Sequence, residues 1–199
     1  MRQTGAADFA ASKIRVKPVQ NADEFAMVLA LRGAIFLAEE DNITYFDEFS
    51  GNDYAATHLL AFVDGDPAGL VRVRWFAEFA LIERIGIRRR YRSYAVLSAL
   101  ARAALDLCRQ KGYRTVAGRA RLDIVNFWKR FGGRQSGPAH HMFRGTLVPI
   151  VHDLAPRPGL AEVPPGPFGD PAFEDLIAQQ EGGWDFTNMP AQPQPMAAE

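Results

Sequence analysis

The sequence is poor in the residue types that stabilise secreted or metal-binding proteins. It has one cysteine, Cys108, in 199 residues, which excludes an intramolecular disulfide and a zinc site built from several cysteines. Its four histidines include one adjacent pair, His140 and His141, and none has the spacing of a helical metal motif. No apolar run approaches the roughly 18 residues typical of a membrane helix. Residues 1–12 lack the apolar segment of a signal peptide. We therefore expect a cytoplasmic protein with no metal and no membrane partner.

Net charge is also absent, because 23 basic and 23 acidic residues balance. The balance hides an asymmetry, since residues 1–154 hold 22 basic and 16 acidic side chains and residues 155–199 hold one and seven. The surplus of six positive charges on the body is modest, and no aromatic residues are interleaved with it. We therefore expect no nucleic-acid partner.

Proline separates a C-terminal tail from the rest of the chain. Nine of the 13 prolines lie between Pro156 and Pro195, and proline at this density favours extended backbone. Residues 171–180 are compatible with a short helix capped by Asp170. The tail is either a solvated linker or a segment that docks on its own body or on a partner. The predicted divisions are a flexible N-terminus (1–12), one domain (13–154) and an acidic, proline-rich tail (155–199).

The hydrophobic pattern of the domain changes its period repeatedly, which predicts a mixed α/β protein. The strongest helix prediction is Ser93–Lys111, whose apolar stripe is followed by Gly112. Asp64, Gly65 and Asp66 indicate a hairpin turn. The predicted order is β-α-β-β-β-α-β-α-β, with strands at 14–19, 58–63, 70–76, 80–87, 114–120 and 142–150, and helices from about 24 to 36, at 93–111 and at 122–131. Strand and helix alternate in the second half, which favours a mixed sheet with helices on its faces.

An arginine-rich junction lies between the predicted strand 80–87 and the helix that follows it. Arg88, Arg89, Arg90 and Arg92 place four positive charges within five residues. The first N–H groups of the helix have no intrahelical partners, and together with the helix dipole they suit a pyrophosphate. The alternative interpretation is a solvated surface turn.

Three stretches of the domain resemble the GNAT superfamily of acyl-CoA-dependent N-acyltransferases. Residues 80–87 resemble its central strand, which usually ends in a bulge. Residues 88–100 resemble its pyrophosphate loop with the following helix, and residues 126–133 resemble the short helix after its fifth strand. The resemblance runs from about residue 14 to residue 154. It implies a GNAT fold with mostly antiparallel N-terminal strands and a βαβ half that binds the cofactor.

A weaker resemblance is to the autoinducer-synthase-like branch of this superfamily, carried by residues 31–36, 45–48, 58–60 and Asp53. It implies that the acceptor side is organised by Arg32, Phe36, Asp47, Asp53 and Arg74. Acidic residues are frequent between residues 39 and 54, where they would attract a cationic amine unless the segment is simply a solvated loop. His141 lies near the position where acceptors approach in this superfamily.

The implied activity is transfer of an acyl group to a primary amine of a small molecule or peptide. The simplest donor is acetyl-CoA, attacked directly within a ternary complex. Alternatives are a longer acyl group from acyl-CoA or acyl carrier protein, and a binding module without catalysis. Homodimers are common in the superfamily. The implied cofactor contacts are Ile85, Gly86, Ile87, Arg92, Ser93, Tyr94, Ala95, Val96, Leu97 and Asn126. Ala95 and Leu97 depart from the superfamily, whose loop carries glycine at both positions.

Glu83 is the candidate general base, because a carboxylate near the end of the central strand could deprotonate an ammonium group. The alternative is an ion pair with Arg72 or Arg74 on the neighbouring strand. Strand alternation predicts that Glu83 points away from Arg84. Many members carry a tyrosine acid where Trp128 stands, and an indole N–H cannot replace it. Tyr94 is therefore the candidate general acid, with Tyr91 or a water as alternatives.

Overall fold

One mixed sheet organises the chain in the computed structural model, which describes residues 13–41, 43–49, 51–142 and 145–155. The strands are β1 (Ile14–Pro18), β2 (Thr57–Val63), β3 (Asp66–Trp75), β4 (Ala80–Ile87), β5 (Thr115–Arg121), β6 (Gly133–Gln135), β7 (His140–Met142) and β8 (Gly145–Asp153). The α-helices are α1 (Ala22–Arg32), α2 (Tyr45–Glu48), α3 (Tyr94–Gln110) and α4 (Val125–Arg130). A π-helix, Gly33–Glu39, continues α1, and single 3₁₀ turns at Arg89–Tyr91 and Leu122–Ile124 precede α3 and α4. The predicted N-terminus and tail helix lie outside the described residues.

The strand order is β1-β2-β3-β4-β5-β8-β6, and β7 pairs with β8. Strands β4 and β5 pair in parallel, and the other neighbouring strands pair in antiparallel fashion. The parallel pair is connected through α3, as expected for a crossover connection. The predicted mixed sheet is therefore confirmed, with its antiparallel N-terminal half and its βαβ half.

Local sequence signals explain where the helices and the first hairpin begin and end. The side chain of Asn21 accepts a hydrogen bond from the Glu24 N–H at the start of α1, and Ser93 Oγ accepts one from the Val96 N–H at the start of α3. Gly112 follows α3 with a φ of 89°, a conformation that glycine adopts without strain. In the hairpin turn, Asp64 and Gly65 both have positive φ, as a type I′ turn requires.

The C-terminal part of the sheet differs from the sequence prediction. The single strand predicted at 142–150 is wrong, because β7 and β8 form a hairpin and β8 runs on to Asp153. Gly133, which follows the predicted helix at 122–131, begins the unpredicted strand β6. Strands β6 and β7 have three residues each, too few for an alternating pattern to show. The helix α2 was likewise not predicted in the acidic segment.

The two faces of the sheet carry separate apolar cores. Helices α3 and α4 cover the larger core, in which Leu100 and Ala104 are fully buried. Helix α1 and the π-helix cover the smaller core through residues such as Val28 and Ile35. Cys108 belongs to the larger core, and burial raises the pKa of its thiol to about 12. No helix in the described part of the chain is long and apolar enough to cross a membrane.

Gly69 provides a test of the close approach between β3 and β4. A Cβ at this position would lie 2.6 Å from the Gly86 carbonyl oxygen, so Gly69→Ala should lower the free energy of unfolding by about 2 kcal/mol. Gly33→Ala is the matched control, because nothing lies within 4 Å of its Cβ position and alanine is preferred in a helix. Urea denaturation gives the free energy of unfolding of both variants. Equal values would contradict the close contact between β3 and β4 at Gly69.

Candidate active site

A cleft opens where β4 and β5 separate. The two strands pair only at Ala80 with Val116, Leu81 with Ala117 and Ile82 with Gly118. Both strands continue beyond these pairs, to Ile87 and to Arg121. A cavity of about 710 Å³ lies between the diverging strands. The sheet therefore has a cleft in its middle, and residues of both strands line it.

Residues from seven elements line this cavity: the π-helix, β4, β5, the 3₁₀ turn Leu122–Ile124, α4, β7 and β8. β4 contributes Ile82, Glu83, Arg84 and Ile85; the other lining residues used below are Phe36 and Glu40 from the π-helix segment, Trp128 from α4, and His152 from β8. The β4 residues include the predicted base, Glu83. The rings of Trp128 and His152 are both buried and contact each other. The cavity thus brings titratable groups from both of its walls to one space, as a catalytic site requires.

A bulge in β4 sets the direction of Glu83. Arg72 pairs with Glu83 and Leu70 pairs with Gly86, so β4 has one more residue than β3 in this interval. The extra residue is accommodated at Arg84, which has a φ of 50°. Because of this bulge, Glu83 and Arg84 both reach partners in the same group of ion pairs. The predicted alternation of the two side chains is therefore wrong.

That group, called here the ion cluster, consists of Arg32, Glu48, Asp53, Arg72, Glu83 and Arg84. The fully buried guanidinium of Arg32 donates hydrogen bonds to Glu48 and Asp53. Arg72 lies 2.7 Å from Asp53 and 2.9 Å from Glu83. Arg84 Nε donates to Glu48 Oε2 at 2.8 Å. The cluster links α1, α2, β3 and β4 beneath the cavity, and the alternative interpretation of Glu83 as an ion-pair partner of Arg72 is confirmed.

In the ion cluster, charge pairing affects the pKa values of Asp53 and Arg72 more than burial does. Burial alone would raise the pKa of Asp53, but Arg32 and Arg72 hold this pKa below its ordinary value. Burial alone would lower the pKa of Arg72, and Glu83 and Asp53 raise it instead. For Arg84 burial prevails and its pKa is lowered. Asp53 is therefore an ionised, buried structural carboxylate.

The residues predicted for the acceptor side lie in different environments. Phe36 lines the cavity, whereas Arg32 and Asp53 are engaged in the ion cluster. The Asp47 side chain accepts a hydrogen bond from Thr44 Oγ1 at 2.6 Å. Two further residues complete this set: Arg74, which stacks on the Phe76 ring, and His141, which is exposed on β7. Their roles in acceptor binding remain predictions.

The predicted phosphate loop lies at the beginning of α3. The backbone N–H of Arg89 donates to Glu39 at 2.7 Å, and Arg92 pairs with Glu40 at 2.9 Å. Glu40 also lies 3.6 Å from Arg121 at the end of β5. The Glu40 carboxylate, directly after the π-helix, therefore connects Arg92, just before α3, with Arg121 at the end of β5.

The predicted cofactor residues divide between the cavity wall and this loop. Ile85 lines the cavity, whereas Gly86, Ile87 and the loop residues Arg92, Ser93, Tyr94, Ala95, Val96 and Leu97 are not part of its wall. Leu97, at a position where the superfamily has glycine, packs its side chain against the larger core. Asn126 is the second residue of α4 and is not part of the cavity wall either.

Tyr94, the predicted acid, is 56% exposed and packs edge-on against Phe127. It does not line the cavity. His152 does line the cavity, although it lies outside the strand predicted at 142–150. The signal was present, since Val148, Ile150 and His152 alternate on the buried face of β8. Among the described residues, no three metal-ligating side chains converge.

Comparison with known proteins supports the architecture. A model of the acetyltransferase (GNAT) family matches residues 25–132, slightly more than half of the chain. The uncharacterised protein YyaT of Bacillus subtilis strain 168 is 22% identical over 121 residues, which cover 60% of this chain and 82% of YyaT.

Two solved structures share the fold. Escherichia coli ElaA superposes with a TM-score of 0.65 at 19% identity, covering 71% of this chain and 100% of ElaA. FeeM, an N-acyl amino acid synthase from uncultured soil microbes, has a TM-score of 0.60 at 10% identity, covering 72% of this chain and 92% of FeeM. The expected GNAT fold is thereby confirmed.

Asp53 makes stability depend on pH in a predictable direction. The pKa of Asp53 in the folded protein lies below its ordinary value of 3.8. The ionised carboxylate therefore stabilises the fold above about pH 4, and this contribution is lost as pH falls through the folded-state pKa. Asp53→Asn should lower the free energy of unfolding by about 3 kcal/mol at pH 7. At pH 3 the difference in the free energy of unfolding between this variant and the wild type should be smaller.

The matched control for this prediction is Asp106→Asn, which makes the same change at an exposed position of α3. It should have almost no effect at either pH. Urea denaturation at both pH values measures the free energy of unfolding. A loss of stability in Asp53→Asn that is the same at both pH values would exclude the electrostatic explanation.

Proposed function

Because the chain belongs to the acetyltransferase (GNAT) family, we propose that it transfers an acetyl group from acetyl-CoA to a primary amine. The acceptor would be a small molecule or the amino group of a peptide, attacking the thioester directly in a ternary complex. Acyl-CoA is the general donor of this family, and the acetyl group is the simplest choice within it. A cytoplasmic location belongs to the same proposal.

The separation of β4 and β5 is the observation that carries this proposal. It leaves the backbone groups of Ile85 to Ile87 without a partner strand on the β5 side, so an extended pantetheine arm could pair with them as a strand would. The capped start of α3 follows β4 after the 3₁₀ turn Arg89–Tyr91, with N–H groups suited to phosphate. The residues present therefore fit acyl-CoA, which would supply the thioester.

Glu83 is the base in this proposal. Its carboxylate lines the cavity and is 18% exposed, so an ammonium group in the cavity can approach it. Arg72 lies 2.9 Å from the same carboxylate and fixes its position before the acceptor binds. Glu83 would accept one proton, and the resulting neutral amine would attack the carbonyl carbon.

Glu40 competes with phosphate for the arginines at the cleft. It pairs with Arg92 and lies close to Arg121, so a bound pyrophosphate would have to draw these cations away from it. Glu40→Gln should tighten acetyl-CoA binding several-fold and steepen its dependence on salt. Asp106→Asn again serves as the control, and isothermal calorimetry at two salt concentrations is the measurement. Weaker binding by the Glu40 variant would contradict this competition.

The proposed function is tested by calorimetric titration with acetyl-CoA, octanoyl-CoA and unacylated CoA, followed by thiol-release assays. The assays use tyramine, tryptamine, spermidine and lysine methyl ester as amine probes. Binding at micromolar concentration together with turnover of acetyl-CoA would support the proposal. Preference for octanoyl-CoA would favour a longer-chain acyltransferase, and no binding of any donor would favour a binding module.

Glu83→Gln tests the assigned base. It should lower kcat about 100-fold or more, because proton abstraction is lost, whereas the Kd for acetyl-CoA should barely change. Glu78→Gln makes the same substitution at an exposed position between β3 and β4 and should behave as the wild type. Equal losses in kcat and in acetyl-CoA affinity would overturn the assignment of Glu83.

A further inference from the structure

His152 occupies a position in the cavity that the proposed mechanism does not yet use. It lies on β8, paired with Val116 of β5 on one side and with Gly133 of β6 on the other. Val116 is two residues before Gly118, the last residue of β5 that pairs with β4. His152 is therefore one strand away from the point where the cleft begins, and its ring contributes to the cavity wall.

Three neighbours fix the orientation of its imidazole. Nδ1 lies 3.3 Å from the Phe131 carbonyl oxygen, which can only accept a hydrogen bond. Trp128 packs against the ring at 74°, with 5.6 Å between centroids. The ring edge lies over Gly133, where a Cβ would come within 2.9 Å of Nε2. The proton on Nδ1 is assigned from this hydrogen bond, and it leaves the lone pair on Nε2.

The surroundings keep this ring neutral at physiological pH. Burial lowers the pKa of His152, against the opposing effects of the Phe131 carbonyl and the neighbouring Asp153 carboxylate. Arg109 of α3 is the other charged group that acts on it, and it lowers the pKa further. A neutral imidazole with a fixed tautomer is able to accept a proton and then return it.

The transfer reaction leaves a proton that Glu83 does not account for. Once a neutral amine has attacked, the new C–N bond leaves a proton on nitrogen that must depart, and the broken C–S bond leaves a thiolate that must gain one. The residue predicted to donate that proton, Tyr94, is exposed and outside the cavity wall. Trp128 lines the cavity, but its indole N–H is not an acid at neutral pH.

We propose that His152 Nε2 accepts the proton from the attacking nitrogen and delivers it to the departing sulfur. This inference rests on the proposed acetyl transfer and names a second proton-transfer residue for it. The C–N bond forms, the C–S bond breaks, and the imidazole ends the step neutral, as it began. Glu83 takes the first proton of the ammonium group, so each of the two protons has its own acceptor.

His152→Asn is the direct test, because its amide can still donate to the Phe131 carbonyl but offers no basic nitrogen. It should lower kcat with acetyl-CoA and the best amine probe about 100-fold. The Kd for acetyl-CoA should stay within about threefold of the wild type, which reports that the cavity is intact. His152→Ala is the second variant, assayed with added imidazole or with added pyrrole, which has the same shape but no basic lone pair.

Recovery of turnover by imidazole and not by pyrrole would support the inference. Turnover of His152→Asn within about threefold of the wild type would overturn it, as would equal rescue by both compounds, which would indicate a packing role. These outcomes require an active wild type. A wild type that neither binds acetyl-CoA nor acetylates any probe would instead overturn the proposed function, and the role of His152 with it.

Discussion

The separation of β4 from β5 after three residue pairs is the constraint on which the rest of the site depends. Continuous pairing would satisfy the backbone of both strands and would leave no cavity in the sheet. Separation opens about 710 Å³ of space and leaves backbone groups of the last residues of β4 available to a ligand. Of the groups that could perform chemistry, Glu83 lies on β4, at one edge of this opening, and His152 lies on β8, one strand beyond its other edge.

The ion cluster stabilises the β4 side of the opening. Arg84 has a backbone conformation that costs a residue with a side chain about 1 kcal/mol or more. Its guanidinium is held by Glu48 and by the Asp47 carbonyl oxygen, each at 2.8 Å. The same cluster positions the Glu83 carboxylate through Arg72. The buried charges of the ion cluster therefore stabilise the bulge in β4 at the edge of the cavity.

Much of the fold could be predicted from local sequence signals. The strand alternation of the first half, the Asn21 and Ser93 caps and the turn at Asp64 and Gly65 all act over a few residues, and the structure contains each of them. The alternation of strand and helix from Ala80 onward favours a mixed sheet, and the resemblance to the GNAT superfamily adds the βαβ half that contains the parallel pair.

The parts that escaped prediction depend on contacts between distant residues. The superfamily resemblance implies a bulge near the end of β4, and the structure has one. Its position at Arg84 has no local mark of positive φ, and it is supported by Glu48, 36 residues earlier in the chain. Asp53 was expected on the acceptor side, yet arginines from α1 and β3 surround it. His152 lies outside the predicted strand because β8 extends three residues beyond Ile150, where the prediction ends.

The central claim is that the opening between β4 and β5 binds acyl-CoA along the edge of β4. Amide hydrogen exchange of the full chain, measured by mass spectrometry with and without acetyl-CoA, tests it most directly. The account predicts new protection at Ile85–Ile87 and at the first residues of α3, Tyr94 and Ala95. Protection confined to other segments, with these peptides unchanged while acetyl-CoA is bound, would contradict it.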